Sequence, residues 1–171
     1  MDSLDRPEVR DDGLQLDEHR RFQERFWRSE RIAWFFFAVI VGVALLGGFG
    51  SGGPLAMETT DAASAIIEHP RIGRWEGTDE MTIRFKPDPT RPEQSLHLSD
   101  SFAETFQVED IQPLPLRTLI ADDGQTLFFA NPDRNGGTIT LHLRAQAAGF
   151  ASFDIAINEG EPQSLTSFIF P

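Results

Sequence analysis

The sequence predicts an all-β extracytoplasmic domain, an immunoglobulin-like β-sandwich, carried on a single N-terminal transmembrane helix. Two observations favour this arrangement. Residues 32–49 form a run of eighteen uncharged, mostly apolar residues, long enough to cross a bilayer as a helix. Beyond this run, several segments of 58–171 alternate apolar and polar side chains with the period of two that is typical of strands.

The charges around the apolar run predict its orientation. Five arginines lie between residues 20 and 31, whereas the next basic residue after the run is Arg71. Because basic residues stay on the cytoplasmic side, we expect a cytoplasmic N-terminus and a periplasmic or extracellular C-terminal domain. A cleaved signal peptide is the alternative, and it would release the domain as an exported protein.

The segments before and after the run complete the domain organisation. Asp17–Arg21 and Glu24–Arg28 have the i,i+4 spacing that stabilises a helix leading into the membrane. Glycines and a proline after the run predict a flexible joint. The expected order is a disordered tail at 1–14, a juxtamembrane helix at 15–31, the span at 32–49, a Gly-rich linker at 50–57 and the β-sandwich at 58–171. Within the run, the small-residue pairs Ala38/Gly42 and Ala44/Gly48 favour close helix packing and hence a homo-oligomer.

Strand candidates fill most of the C-terminal domain. The alternating runs are those of Met81, Ile83 and Phe85; Ile139, Leu141 and Leu143; Phe153, Ile155 and Ile157; and Phe168 and Phe170, with further candidates at 60–67, 95–98 and 126–130. About seven short strands are typical of a sandwich, and a small barrel is the alternative. The chain has no cysteine, so its core must hold the domain together without disulfides.

The breaks between strands have turn chemistry. Segments 122–124 and 135–137 contain residues that tolerate positive φ, and Ala148-Gly149 predicts a hairpin between its flanking strands. Ser101 and Glu104 have capping-box spacing, which predicts one helical turn up to Phe106. Segment 113–115 reads either as a rigid crossover between sheets or as a polyproline-type docking edge.

The domain shows no catalytic, cofactor-binding or metal-binding constellation, so we expect that the protein is not an enzyme. Its eighteen acidic and eight basic residues disfavour nucleic acid. His142 falls on the polar face of a strand, and 133–137 fails the spacing of a calcium loop, so it is interpreted as a turn. An enzyme or small-ligand binder with a site assembled from scattered residues such as His69, His97 and Glu104 remains the alternative.

The candidate partner contacts fall in two basic-aromatic groups. The residues are Phe22, Arg25, Phe26, Trp27 and Arg28 in the head, and Arg71, Arg74 and Trp75 in the domain. Arginine and tryptophan are enriched among contact hot spots. The head side chains could instead rest against lipid headgroups, and Arg74 could simply stack on Trp75.

The head and the exit from the apolar run resemble a set of small single-pass bacterial proteins of unknown function. The shared features are the pattern F-Q-x-R-F-W-R-x-E-R-x-x-W over 22–34 and the Gly-rich exit ending in Gly53-Pro54-Leu55. The resemblance implies a bacterial inner-membrane location but no activity or cofactor. Together these features predict a membrane-tethered interaction module, an accessory subunit with a protein partner in the inner membrane.

Overall fold

The computed structural model describes residues 20–48, 53–132 and 134–171, with side chains from Arg25 onward. The chain divides into two compact units, one ending at Val41 and one beginning at Gly42. The elements in chain order are α1 (Arg20–Leu45), β1 (Met57–Asp61), β2 (Ala65–Pro70), β3 (Ile72–Arg74), β4 (Thr78–Phe85), β5 (Glu93–Ser99), α2 (Asp100–Thr105), β6 (Phe106–Gln112), β7 (Arg117–Ala121), β8 (Gly124–Ala130), β9 (Gly137–Ala145), β10 (Gly149–Ile157) and β11 (Gln163–Phe170).

Helix α1 runs without a break through residues predicted as two successive helices, 15–31 and 32–49. It ends at Leu45, and the Gly48 N–H turns back to the Val43 carbonyl at 2.9 Å. In the described part of the chain, no helix combines the length and the apolar character that a membrane span needs, so the predicted transmembrane helix is not found there. The predicted tail at 1–14 and the first three residues of the linker at 50–57 lie outside the described residues.

Because α1 ends at Leu45, one of the two predicted small-residue pairs is not entirely on the helix. Ala38 and Gly42 both lie on the helix, and open space surrounds the Gly42 Cα where a side chain would start. Gly48, in contrast, lies beyond the helix end. The pair Ala44/Gly48 therefore does not form a small-residue stripe, because its second member has left the helical path.

The second unit carries two β-sheets, which confirms an all-β domain. The five-stranded sheet has the order β1-β2-β4-β9-β6, and the six-stranded sheet has the order β3-β11-β10-β5-β8-β7. Every strand pair is antiparallel except β3 with β11, which is parallel. The first strand begins at Met57, one residue before the predicted domain boundary.

The inner faces of both sheets contribute to one hydrophobic core. Alternate residues of β4, β5, β9 and β10 point into it, as the period-two pattern predicts. Phe153 is fully buried at its centre, where its ring meets those of Phe102 and Phe106 at 5.5 and 5.3 Å between centroids. Such edge-to-face pairs add to the stabilisation from apolar burial.

Helix α2 and the turn between β7 and β8 confirm the local predictions, although the helix cap is shifted by two residues. The helix covers Asp100–Thr105, and its N-cap is Ser99, whose hydroxyl accepts the Phe102 N–H at 3.3 Å. Ser101, the predicted cap, bonds to Ser99 instead. Gly124 at the β7–β8 turn has φ +136°, and a Cβ there would lie 2.1 Å from the Leu98 carbonyl oxygen.

Three details of the strand predictions are wrong: the bounds of one strand, one hairpin and the buried face of the last strand. Segment 60–67 is not one strand, because residues 62–64 form a turn between β1 and β2. Ala148-Gly149 does not close a hairpin, since β9 lies in the five-stranded sheet and β10 in the six-stranded sheet. Phe168 and Phe170 do not face the core; Ser167 and Ile169 do.

Candidate functional site

Helix α1 displays the predicted head residues on its surface. Phe22 lies on the helix, and four further candidates are exposed along it: Arg25, Phe26, Trp27 and Arg28. Trp27 already has a partner within the helix, because the Arg31 guanidinium carbon lies 3.6 Å from its ring centroid. This cation–π contact covers one face of the indole and leaves the other available.

The second group of predicted contacts lies at the edge of the six-stranded sheet. Arg71, Arg74 and Trp75 are exposed in and beside β3, and Trp75 keeps 48% of its surface accessible. The Trp75 backbone N–H donates to the Phe170 carbonyl at 2.7 Å, which ties it to β11. Among the described residues, Arg74 makes no cation–π contact with Trp75, so the alternative of mutual stacking is not found.

The parallel pairing of β3 with β11 places phenylalanines beside Ile72 and Arg74. Register partners face the same side, and Ile72 pairs with Phe168 while Arg74 pairs with Phe170. Because Gly73 and Ile169 between them are buried, Ile72, Arg74, Phe168 and Phe170 all lie on the outer face of the sheet.

Phe150 on β10 extends this aromatic surface. Its ring lies 4.6 Å from the Phe168 ring, which in turn lies 4.8 Å from that of Phe170. Phe150 is 90% exposed although phenylalanine is normally buried. We use the name aromatic patch for the outer-face residues Ile72, Arg74, Phe150, Phe168 and Phe170 together with the exposed residues that flank β3 along the chain, Arg71 and Trp75.

The charge around the aromatic patch differs from that of the rest of the domain. Five of the six other basic side chains of the domain are paired with acids: Arg84–Glu68, Lys86–Asp61, Arg91–Asp88 and Arg117–Glu93 at 2.6–3.1 Å, and Arg144–Glu109. Arg71 and Arg74 make no ion pair with any described residue. Two unpaired cations on an acidic domain mark this patch as a candidate binding surface.

The opposite edge of the same sheet is a second candidate surface, of which the sequence analysis identified only segment 113–115. Among the described residues strand β7 pairs only with β8, and all of its residues are exposed. Leu119 and Ile120 keep 52% and 86% of their surface accessible. The preceding Leu114 and Leu116 are also exposed. We call residues 114–121 the β7 edge.

The segment 113–115 leads into the β7 edge and joins the two sheets. It follows β6 of the five-stranded sheet and precedes β7 of the six-stranded sheet. This is the crossover that the sequence predicts as one of two alternatives. The exposure of Leu114 leaves the docking alternative open as well.

Two buried titratable groups lie on the inner side of the five-stranded sheet. His69 is 1% exposed, and its Nδ1 has no hydrogen-bond partner in the part of the chain that the structure describes. Burial lowers the pKa of His69, which favours the neutral ring. Burial also raises the pKa of Asp79 to about 6. Its unpaired Oδ2 lies 2.6 Å from the point where a Gly73 Cβ would stand, so this carboxyl packs directly under β3.

The structure does not assemble the alternative catalytic or ligand site. His69 points into the core from β2, whereas His97 points outward from β5, where its Nδ1 lies 3.0 Å from the Thr126 hydroxyl. Glu104 is exposed on α2. In the described ranges no group of three or more His, Cys, Asp or Glu residues could hold a metal ion.

His142 and the described residues of the turn at 133–137 lie at the surface, as the sequence analysis predicts, and a groove lies beside α2. His142 lies on the outer face of β9. Arg134 and Gly136, with φ of 55° and 82°, form the turn predicted over 133–137, of which Asp133 lies outside the described residues. A groove of about 340 Å³ beside α2 is lined by apolar and uncharged polar side chains, among them Phe102, Gln107 and Gln146.

Comparisons with known proteins add no family. No protein-family model matches the chain, and no curated protein matches it. A chain in the crystal structure of the CaDoc0917–CaCohA2 complex is 13% identical, with a TM-score of 0.36 over 58% of this chain and 92% of that chain. The bacterial hydrophobin BslA is 18% identical, with a TM-score of 0.34 over 66% of this chain and 95% of that chain. At these TM-scores neither likeness bears on fold or function.

Proposed function

We propose that the protein is a membrane-tethered interaction module that binds another polypeptide through the β7 edge. The observation that carries this proposal is the open, apolar edge strand at the end of the six-stranded sheet. The partner is an extended segment of an inner-membrane or periplasmic protein, which adds as a further strand. We also propose that the two sheets form a sandwich of the immunoglobulin-like kind.

The β7 edge has the properties that strand addition needs. An edge strand presents unpaired backbone N–H and C=O groups, and proteins usually protect such edges with charge, proline or a covering segment. Within β7 the only charged residue is Arg117, which is engaged with Glu93 at 2.8 Å and lies over the Phe128 ring at 3.7 Å. Leu119 and Ile120 therefore offer apolar contacts to an added strand on both of its faces.

The tether is proposed from the uncharged segment 32–49 and the side chains of α1. From Ile32 to Leu45 the helix exposes its large apolar side chains around its whole circumference, including Phe35, Phe36 and Ile40. Leaving so much apolar surface in water is costly, at roughly 25 cal/mol for each Å². A lipid environment removes that cost, and the arginines before the segment favour a cytoplasmic N-terminus.

Strand addition is tested with the full chain in mild detergent. Leu119→Lys combined with Ile120→Lys should abolish binding to the co-purifying polypeptide, because two charges oppose an added apolar strand. Thr59→Lys, at an exposed position of the edge strand β1, is the control and should leave binding unchanged.

The decisive readout is hydrogen exchange of the complex. Addition of a strand should slow the exchange of β7 backbone amides and of one continuous segment of the partner. If the β7 amides exchange at the same rate with and without the partner, the β7 edge is not the binding site. If protection appears without any partner and the mass is that of a dimer, the added strand comes from a second copy and the proposal is wrong.

A further inference from the structure

The aromatic patch lies at the end of the domain to which the apolar segment is attached. A chain of backbone hydrogen bonds connects the two. The Leu55 N–H donates to the Leu46 carbonyl at 3.1 Å, and the Arg71 N–H donates to the Ala56 carbonyl at 2.8 Å. The Phe168 N–H then donates to the Arg71 carbonyl at 2.8 Å. Three successive bonds therefore fix the residues after α1 beside β3 and β11.

Exposed apolar side chains continue along this path. Leu45 and Leu46 at the end of the apolar segment are exposed, and so are Leu55 and Met57, which flank Ala56. They lead to the aromatic patch, where Phe150 is the most exposed large apolar residue of the described chain. The apolar surface of the helix end and that of the patch thus belong to one region of the second unit.

The side-chain chemistry of this region is that of a lipid interface. Tryptophan and phenylalanine bind at the headgroup level of a bilayer, and arginine pairs with phosphate through its planar fork of donors. Arg71 and Arg74 have no acidic partner among the described residues, whereas five other basic side chains of the domain do. Their free guanidinium groups complement phosphate.

We propose that the aromatic patch is an interfacial membrane-binding surface, in which the exposed rings enter the headgroup layer and Arg71 and Arg74 bind lipid phosphates. The inference rests on the proposed membrane attachment of the chain. The domain carries a net charge of −10, so an anionic surface repels it as a whole. Phosphate of zwitterionic lipids is therefore the expected ligand, and added anionic lipid should not strengthen the contact.

The natural tryptophan of the patch provides the probe. The chain has three tryptophans, so Trp27→Phe with Trp34→Phe leaves Trp75 as the single reporter in the full chain. This protein is reconstituted into phosphatidylcholine vesicles with and without brominated acyl chains, and Trp75 emission is also titrated with aqueous acrylamide. We expect a blue-shifted emission that brominated lipid quenches and that acrylamide reaches poorly.

Substitutions in the aromatic patch test whether the patch itself brings Trp75 into contact with lipid. Phe150→Ser with Arg71→Gln and Arg74→Gln should reduce quenching by brominated lipid about twofold or more, because the apolar and phosphate contacts both contribute to interfacial binding. Arg84→Gln with Arg144→Gln removes two cations from the other sheet and should leave quenching unchanged. Circular dichroism confirms that each variant is folded before it is compared.

The outcomes separate this inference from the proposed tether. If the chain does not float with the vesicles, the membrane attachment itself fails. If it floats but Trp75 remains fully accessible to acrylamide, the attachment stands and the patch does not bind lipid. If Trp75 is protected from acrylamide in native membranes but not in vesicles of pure lipid, a protein covers the patch, and this result also overturns the inference.

Discussion

The two edges of the six-stranded sheet differ in what they offer to a partner. At β3 the exposed groups are side chains on the sheet face, and the strand beside them is short and held by bonds to Ala56. At β7 the exposed groups include the backbone edge, with no further strand beside it. A side-chain face suits a fluid lipid surface, whereas a backbone edge suits a polypeptide that can complete the ladder.

The largest expected change in the free energy of unfolding distinguishes a core residue of β10 from a residue of the aromatic patch on the same strand. Phe153 and Phe150 lie on the same strand, one fully buried and the other 90% exposed. Phe153→Ala should lower the free energy of unfolding by about 3–5 kcal/mol. Phe150→Ala should lower it by less than about 1 kcal/mol, since it loses only an exposed ring contact.

Chemical denaturation of residues 53–171 measures both changes. If Phe153→Ala lowers the free energy of unfolding by less than about 1 kcal/mol, the assignment of the β10 faces is wrong. A large cost at Phe150 would show that the aromatic patch stabilises the fold, which would remove the argument that it is kept for binding.

The next effect concerns the buried carboxyl beneath β3. Asp79 has a folded-state pKa of about 6 against an ordinary value of 3.8, so the folded state holds its proton more tightly. This stabilisation is fully present below pH 3.8 and is lost as the pH rises through about 6. Asp79→Asn should therefore stabilise the domain by about 1–2 kcal/mol at pH 7.5, after allowance for solvent screening.

The advantage of Asp79→Asn should vanish near pH 3.5, where the wild-type carboxyl is already neutral. His69 titrates in the opposite sense, because its lowered pKa makes the fold less stable as the pH falls below 6.5. The difference between the two proteins isolates Asp79, since both retain His69. Equal pH profiles would mean that the Asp79 carboxyl is solvated and not buried under β3.

The smallest expected effect is at the β7 edge. Arg117→Gln removes the ion pair with Glu93 and the contact with the Phe128 ring, both at the surface. It should lower the free energy of unfolding by less than about 1 kcal/mol. Arg84→Gln, which breaks the Glu68 pair in the other sheet, is the matched control.

Local exchange rates distinguish Arg117→Gln from its control. The Arg117 variant should speed amide exchange in β7 alone, because that strand has one neighbour and an exposed surface. An equal increase in β3 would show that the two edges are mechanically coupled and do not act independently.

The central strands could be predicted because their pattern reflects burial directly. Ile83, Leu141 and Ile155 alternate with polar residues on strands in the interior of their sheets, and all three are buried. The apolar-polar alternation does not predict the buried face of β11, because the position of that strand in the sheet decides which side faces the core. On β11 the inward residue is Ser167, whose hydroxyl donates to the Pro70 carbonyl, so a polar residue replaces the expected phenylalanine in the interior.

The candidate surfaces were predictable only in part. Arg71, Arg74 and Trp75 stand out as a basic-aromatic group in an acidic sequence. Phe150 and Phe168 reach them through strand pairings between distant segments, which one sequence does not reveal. At the β7 edge the sequence marked only segment 113–115. Strand β7 itself could not be predicted as an edge, because the sequence of one strand does not show which strands lie beside it in the sheet.

The measurement that tests the central claim most directly compares the two edges in one membrane sample. Because the chain has no cysteine, Phe150→Cys and Ile120→Cys each provide a single site for an environment-sensitive label in the full chain. In phosphatidylcholine vesicles the label at position 150 should emit as in a lipid interface and be quenched by brominated acyl chains. The label at position 120 should emit as in water, and labels that report the same environment at both positions would contradict the account.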